Sequence, residues 1–261
     1  AVPPPIMAAL AHHPLVEAYD LSSVELIVSG GAPLGADLQR AVAKRFPTAA
    51  VGQGWGMTET TVGATGPDRE LGSVPGSVGR VMPSTEVRVV DPETGRDLEA
   101  GKRGELRVRG PQVMAGYLGR PDATADTIGA DGWLKTGDLG YVDGDGNVFI
   151  VDRLKELIKV SAYQVAPAEL EGLLITHPAV DDVAVIGRPD AQRGEVPVAV
   201  VVRRSEVEGD DLIAWVAERV APHKRIRAVR FVEAIPKTPS GKVLRRILVE
   251  RDRQSAGVTS S

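Results

Sequence analysis

The sequence predicts an α/β layer, then a β-rich subdomain, then a small α+β domain, and changes of texture along the chain carry that prediction. Over residues 1–75, apolar strand-like runs alternate with helical spacing. Over 76–152, short β-rich runs are cut by Gly, Pro and Asp turns, with almost no helical periodicity. Beyond Arg153, helical and strand patterns mix again. Strand–loop–helix–strand is the order of a mostly parallel sheet, whereas closely spaced short strands point to a small β-barrel-like or antiparallel subdomain. The domain boundary is expected at Asp152-Arg153, giving units of 1–152 and 153–261.

In the first segment, Val24 to Val28 reads as a short buried strand that stops at Ser29-Gly30-Gly31. Leu34, Leu38 and Val42 then recur on one face of a helix. Ala49-Ala50-Val51 opens a second strand, which runs into a glycine-rich turn at Gly52, Gly54 and Gly56. The β-rich segment offers strands at Glu86–Val90, Glu105–Val108 and Val148–Val151. Asp143-Gly144-Asp145-Gly146-Asn147 opens like a calcium loop, but Val148 stands where that loop needs glycine and Leu154 where it needs glutamate. A hairpin turn is expected there instead. Further on, Pro167 suits the first turn of a helix carrying Leu170, Leu173 and Leu174. Val183–Ile186, Val196–Val202 and Val229–Val232 read as strands; Leu212, Val216 and Val220 mark a helix, and Val243 with Ile247 another. The small polar tail from Gln254 to Ser261 is expected to fray.

At 261 residues and 43% hydrophobic, the chain has enough apolar surface for one large domain or two modest ones. The net charge of −4, with no basic stripe interleaved with aromatics, argues against a nucleic-acid partner. No apolar run is long enough to span a bilayer. Without cysteine there are no disulfides and no thiolate metal sites. The cytoplasm is the expected compartment.

Functional residues are sought where strands end, because ligands of open α/β sheets bind at strand carboxyl ends and glycine lets the backbone approach them. Such turns are Ser29 to Gly35, Gly52 to Glu59, and Trp133-Leu134-Lys135-Thr136-Gly137-Asp138. Trp55, between two glycines, offers a flat stacking face; Thr58 can bond a phosphate and Glu59 a hard cation. Taken singly, these also fit plain turns and a helix start. Pro236-Lys237-Thr238-Pro239-Ser240-Gly241-Lys242 is not a Walker loop, since Pro236 replaces its glycine and Val243 its Ser/Thr. Lys242 is either a mobile point charge for an anion or a solvated surface lysine.

Together the motifs resemble the AMP-forming adenylating superfamily of acyl-CoA synthetases, peptide-synthetase adenylation domains and firefly-type luciferases. They run in that family's order: SGGAPL at 29–34, GWGMTET at 54–60, GELRVRGPQVMAGYL at 104–118, GWLKTGDLG at 132–140, VDRLKELIKV at 151–160, QVAPAELE at 164–171 and PKTPSGKVLRR at 236–246. The resemblance implies that Gly31, Ala32 and Pro33 line one face of adenine and Trp55 the other. It implies that Thr58 contacts the α-phosphate, Glu59 binds Mg²⁺, and Asp138, helped by Arg153, holds the ribose of ATP or AMP. Gly30, Gly54, Met57 and Val62 would border the acyl pocket. Asp152 to Lys155 would be the hinge of a small mobile C-terminal domain. Lys242 would serve adenylation and Lys159 transfer to CoA. Relatives are switched off by acetylation at the lysine matching Lys242, so a protein lysine acetyltransferase is an expected partner.

The wording of SGGAPLG, of RFP at 45–47, of GQGWGMTE and of IKVSAYQVAPAELE is most similar to 4-coumarate/cinnamate-type ligases. An aromatic or phenylpropenoic acid is therefore the expected substrate, with a medium-chain fatty acid as the alternative. A binding-only fragment is the alternative of a different class. The family's Ser/Thr/Gly-rich phosphate loop does not occur in the 261 residues, so the chain is expected to be the C-terminal half of the enzyme. Ala162 replaces a glycine that, in relatives, lets the loop after Lys159 pack close to the pantetheine channel.

Overall fold

A computed structural model describes residues 1–70, 72–239 and 241–257, and the chain divides into two compact units, Ala1–Val151 and Asp152–Ser261. In the first unit, helix α1 (Pro4–His12) starts on proline, whose missing N–H is no loss in a first helical turn. Strand β1 (Leu26–Ser29), helix α2 (Ala36–Arg45) and strand β2 (Ala50–Gln53) form a parallel crossover unit. Met7, Ile27, Leu34, Val42, Phe46 and Val51 form its core. Because α2 starts only at Ala36, Leu34 is buried from the preceding loop and not from the helical face.

A short antiparallel pair, β3 (Thr65–Gly66) with β4 (Arg80–Val81), leads into β5 (Glu86–Val90) and β6 (Gly104–Arg109). Helix α3 (Pro121–Thr127) and strands β7 (Leu134–Val142) and β8 (Val148–Arg153) follow. Strands β5-β6-β7-β8 make an open four-stranded sheet in that order. Among the described residues it does not close, so the antiparallel form is the one observed and the barrel-like form is not. The Asp143–Asn147 turn joins β7 to β8, with Asp143 Oδ1 accepting from the Asp145 and Asn147 N–H groups at 3.0 and 2.8 Å.

The second unit is a five-stranded sheet between helices. Hairpin β9 (Ile158–Val160) and β10 (Tyr163–Val165) precedes helix α4 (Pro167–Leu174). Strands β11 (Val180–Asp190) and β12 (Gly194–Arg203) pair antiparallel; after helix α5 (Gly209–Ala217), strand β13 (Ala228–Phe231) joins β12 in parallel. Helix α6 (Arg245–Gly257) ends the described chain.

Val183, Val185, Ala199 and Val201 pack with Leu170, Leu174, Leu212 and Val216; Ala184, Ile186, Val198 and Val200 pack with Leu248. Burial on both faces explains why these strands read as unbroken apolar runs. Val220 and Val243 lie just outside α5 and α6 respectively. Gln254 to Gly257 are helical, which corrects the fraying expected there; residues 258–261 lie outside the described set. The helix persists because Arg188 holds Asp252 bidentately at 2.7 and 2.8 Å and Arg230 also pairs with it, fixing the preceding turn. No helix among the described residues is long and apolar enough to cross a membrane.

Candidate active site

Parallel pairing puts the carboxyl ends of β1 and β2 side by side, with Ser29 opposite Gln53, so the two glycine-bearing loops leave the sheet together. The Gly54 N–H donates to Ser29 O at 2.9 Å. The loop with Gly30, Gly31, Ala32 and Pro33 is tied to β2 through the Leu34 N–H, which donates to Gln53 Oε1 at 3.0 Å. Gly56 is required by space: a Cβ there would lie 2.1 Å from Val62 O.

Trp133 to Asp138, expected as a turn at a strand end, instead lies within β7 from Leu134 onward. The register between β6 and β7 slips between Glu105 and Arg107, leaving Thr136, Gly137 and Asp138 as a bulge. Gly137 adopts φ +68, which explains the Thr-Gly-Asp turn signature inside a strand. The bulge is fastened by Thr136 Oγ1 donating to Leu106 O at 2.6 Å and by the Asp138 N–H donating to Thr136 Oγ1 at 3.0 Å. Its outcome is a buried Asp138 carboxylate whose Oδ2 accepts from Trp55 Nε1 at 2.8 Å. Trp55 and Asp138, 83 residues apart in sequence, are thereby brought together.

Met57 to Val62 form a tight 3₁₀ turn over Thr58–Thr60, in which the Met57 N–H donates to Thr60 Oγ1 at 2.9 Å. Thr58 is exposed on it, and Val62 is 86% exposed at φ +86, a conformation β-branched residues avoid. Glu59 is anchored from the β6–α3 connection: the Met114 N–H donates to Glu59 O at 2.9 Å, and the Tyr117 hydroxyl donates to Glu59 Oε1 at 2.6 Å. Hydrogen bonding to the Glu59 carboxylate, followed by burial, raises the Tyr117 pKa. Tyr117 was not among the residues the sequence singled out for the site. Among the described residues no group of three or more His, Cys, Asp or Glu could hold a metal. A cation on Glu59 would take one protein carboxylate and fill its shell with water and phosphate oxygens. That donor set fits Mg²⁺.

The second unit carries the remaining residues. Asp152 is buried and caps α4, its Oδ2 accepting the Ala168 N–H at 2.9 Å while Oδ1 accepts the Arg153 N–H at 2.7 Å. Burial raises its pKa above the ordinary aspartate value against the pull of those bonds. Lys155 and Lys242 line one cleft of about 670 Å³, floored by Ile158, Val185 and Ile186. Lys159 does not line it: side chains alternate along β9, so exposed Lys159 points to the face opposite Ile158. Ala162 is exposed in the turn after β9, where Ser161 adopts φ +55. Lys242 is exposed on a hairpin in which the Thr238 N–H donates to Lys242 O at 2.9 Å; Ser240 of that loop lies outside the described residues.

Two family models match the sequence: an AMP-binding enzyme domain over residues 1–118 and an AMP-binding enzyme C-terminal domain over 169–242. The chain is 49% identical to 4-coumarate–CoA ligase 1 of Solanum tuberosum over 98% of its own length and 48% of that protein. It is 50% identical to 4-coumarate–CoA ligase 2 of Oryza sativa subsp. japonica over 95% of its length and 45% of the relative. The chain thus spans about half the length of the curated relatives it matches. Among solved structures, the amide bond synthetase McbA from Marinactinospora thermotolerans superposes with a TM-score of 0.85 at 34% identity, over 95% of this chain and 51% of that one. The anthranilate CoA ligase AuaEII, in complex with anthranoyl-AMP, does so with a TM-score of 0.82 at 32% identity, over 98% and 50%. With both of the family's domains matched in order, the chain belongs to the AMP-binding enzymes and is similar to the 4-coumarate–CoA ligases.

Proposed function

We propose that the full-length ligase carrying this chain activates a small carboxylic acid with ATP as an acyl-adenylate and passes the acyl group to CoA. The observation that carries the reading is the Trp55–Asp138 hydrogen bond beside two glycine-bearing loops at strand carboxyl ends. An aromatic ring and a buried carboxylate held together there answer the two needs of a nucleoside, a flat face for the base and an acceptor for ribose hydroxyls. In this reading Gly31, Ala32 and Pro33 line the base opposite Trp55, and Arg153 assists Asp138 at the ribose.

Thr58 donates to the α-phosphate and Glu59 holds Mg²⁺, which when bound neutralises phosphate charge. Gly30, Gly54, Met57 and Val62 border the acyl group. Attack of one anion on another needs a cation between them, which is the role of Lys242; Lys159, on the other side of β9 from the cleft, serves transfer to CoA. The segment from Asp152 to Lys155 is the hinge that lets one small domain serve both steps. The acid is a phenylpropenoic acid, supported by the 4-coumarate–CoA ligases among the relatives. Exposed Lys242 is also the target of a lysine acetyltransferase, since acetylation removes its charge. The cytoplasm is the compartment this reading implies.

The test is a pair of half-reactions in the full-length ligase. Pyrophosphate exchange should run faster with 4-coumarate than with octanoate; the reverse order would transfer the enzyme to the fatty-acid ligases. Lys242→Ala, or acetylation at Lys242, should lower acyl-AMP formation about 10²–10³-fold. Thioester formation from supplied acyl-AMP and CoA should persist. Equal loss in both half-reactions overturns the assignment of Lys242.

A further inference from the structure

Arg245 opens α6 directly after the Lys242 hairpin, and its guanidinium is held by carboxylates from different parts of the second unit. Nη1 donates to Glu156 Oε2 at 2.6 Å; Nη2 donates to Glu171 Oε1 and Oε2 at 2.7 and 2.8 Å. Glu156 ends the short turn Leu154–Glu156 that contains Lys155. Glu171 lies in α4, where its Oε1 also accepts the Val185 N–H of β11 at 2.8 Å. The three side chains are 20%, 19% and 18% exposed, so water screens them little.

The hairpin that Arg245 follows has a closed stem. Lys242 N–H donates to Thr238 Oγ1 at 3.1 Å and Leu244 N–H to Pro236 O at 2.8 Å, while Lys237 and Val243 form an antiparallel bridge. A stem closed in this way moves as its base moves, and Arg245 stands at that base. Lys155, Glu156, Lys242 and Arg245 all line the same cleft.

We infer that Arg245 is a positioning residue for Lys242: it clamps the base of the lysine hairpin to the Glu156 turn and to α4, and so sets where the ammonium stands relative to the hinge segment. The inference rests on the reading of Lys242 as the adenylation lysine. A planar fork bound to two carboxylates fixes orientation as well as distance, which a lysine in its place does not. Misplacing a reacting group by 1 Å costs roughly 10²-fold in rate. A residue that served only fold stability would, on removal, weaken both half-reactions and the melting temperature together.

The experiment compares Arg245→Gln, Arg245→Lys and Glu156→Gln in the full-length ligase, with hydrogen exchange read in parallel. Arg245→Gln should lower acyl-AMP formation about 100-fold. Thioester formation from supplied acyl-AMP should stay within about twofold, and Arg245→Lys should recover part of the loss. Amides 241–244 should exchange faster while those of β11 and β12 do not. Glu156→Gln removes one arm of the clamp, keeps the Glu171 pair, and carries the test if Arg245→Gln does not fold. Unchanged exchange at 241–244, or equal loss in both half-reactions, overturns the role of Arg245. A loosened hairpin with intact acyl-AMP formation would instead overturn the assignment of Lys242 to adenylation.

Discussion

Tyr117 shows how a residue on a distant loop can fix the orientation of a carboxylate. Its hydroxyl donates to one oxygen of Glu59 at 2.6 Å, which fixes how that carboxylate is oriented. Glu59 itself stands out in sequence, because a Thr-Glu pair after glycines offers groups that could serve a phosphate and a hard cation. Tyr117 does not, since its partner lies 58 residues away and no spacing rule links a loop tyrosine to a distant glutamate. The hydroxyl's worth can be measured. In the full-length ligase, Tyr117→Phe should raise the Mg²⁺ concentration for half-maximal pyrophosphate exchange about 10-fold, the usual cost of losing a partner of a metal ligand. Direct Mn²⁺ binding in the presence of nucleotide, read by electron paramagnetic resonance, should weaken by a similar factor. Unchanged metal affinity would mean that the hydroxyl only ties down the loop.

Among elements, those with a simple period were readable and those that break it were not. Strands β11 and β12 and helix α4 announced themselves through apolar runs and a leading proline. Helix α3, of sequence PDATADT, carries no large apolar residue, so periodicity is silent there. Strand β7 was hidden because Thr136-Gly137-Asp138 has turn chemistry, and that chemistry serves a bulge that delivers Asp138 to Trp55. The turn after β2 rests on a similar local exception at Gly56. Gly56→Ala would force a methyl group to within 2.1 Å of Val62 O, whereas Gly144→Ala meets nothing within 4 Å. Gly56→Ala should therefore destabilise the first unit by about 1–3 kcal/mol and displace the Trp55 ring. Gly144→Ala should stay within about 0.5 kcal/mol. Urea unfolding followed by tryptophan fluorescence checks both, and equal midpoints would show that the turn yields without cost.

At the scale of the molecule, the two units differ in how completely each buries its own apolar surface. The second has a five-stranded sheet covered on both faces, with β11 and β12 paired from Val180 to Arg203. The first rests its α/β layer on a two-stranded parallel sheet, and leaves Ile6, Leu15, Tyr19 and Leu26 exposed by 46, 61, 68 and 37%. Isolated two-stranded sheets are marginal in water, and the elements least supported by burial open first. Hydrogen exchange of the 261-residue chain should then be uneven. Amides of Ile27–Ser29 and Val51–Gln53 should exchange at least about tenfold faster than those in the middle of β11 and β12, a difference of ~1.4 kcal/mol in opening free energy. The contrast should survive in Arg245→Lys, a substitution within the second unit. Equal protection of β1–β2 and β11–β12 would show that the α/β layer stands as firmly on its own as the sheet of the second unit, and that its exposed apolar residues await no partner.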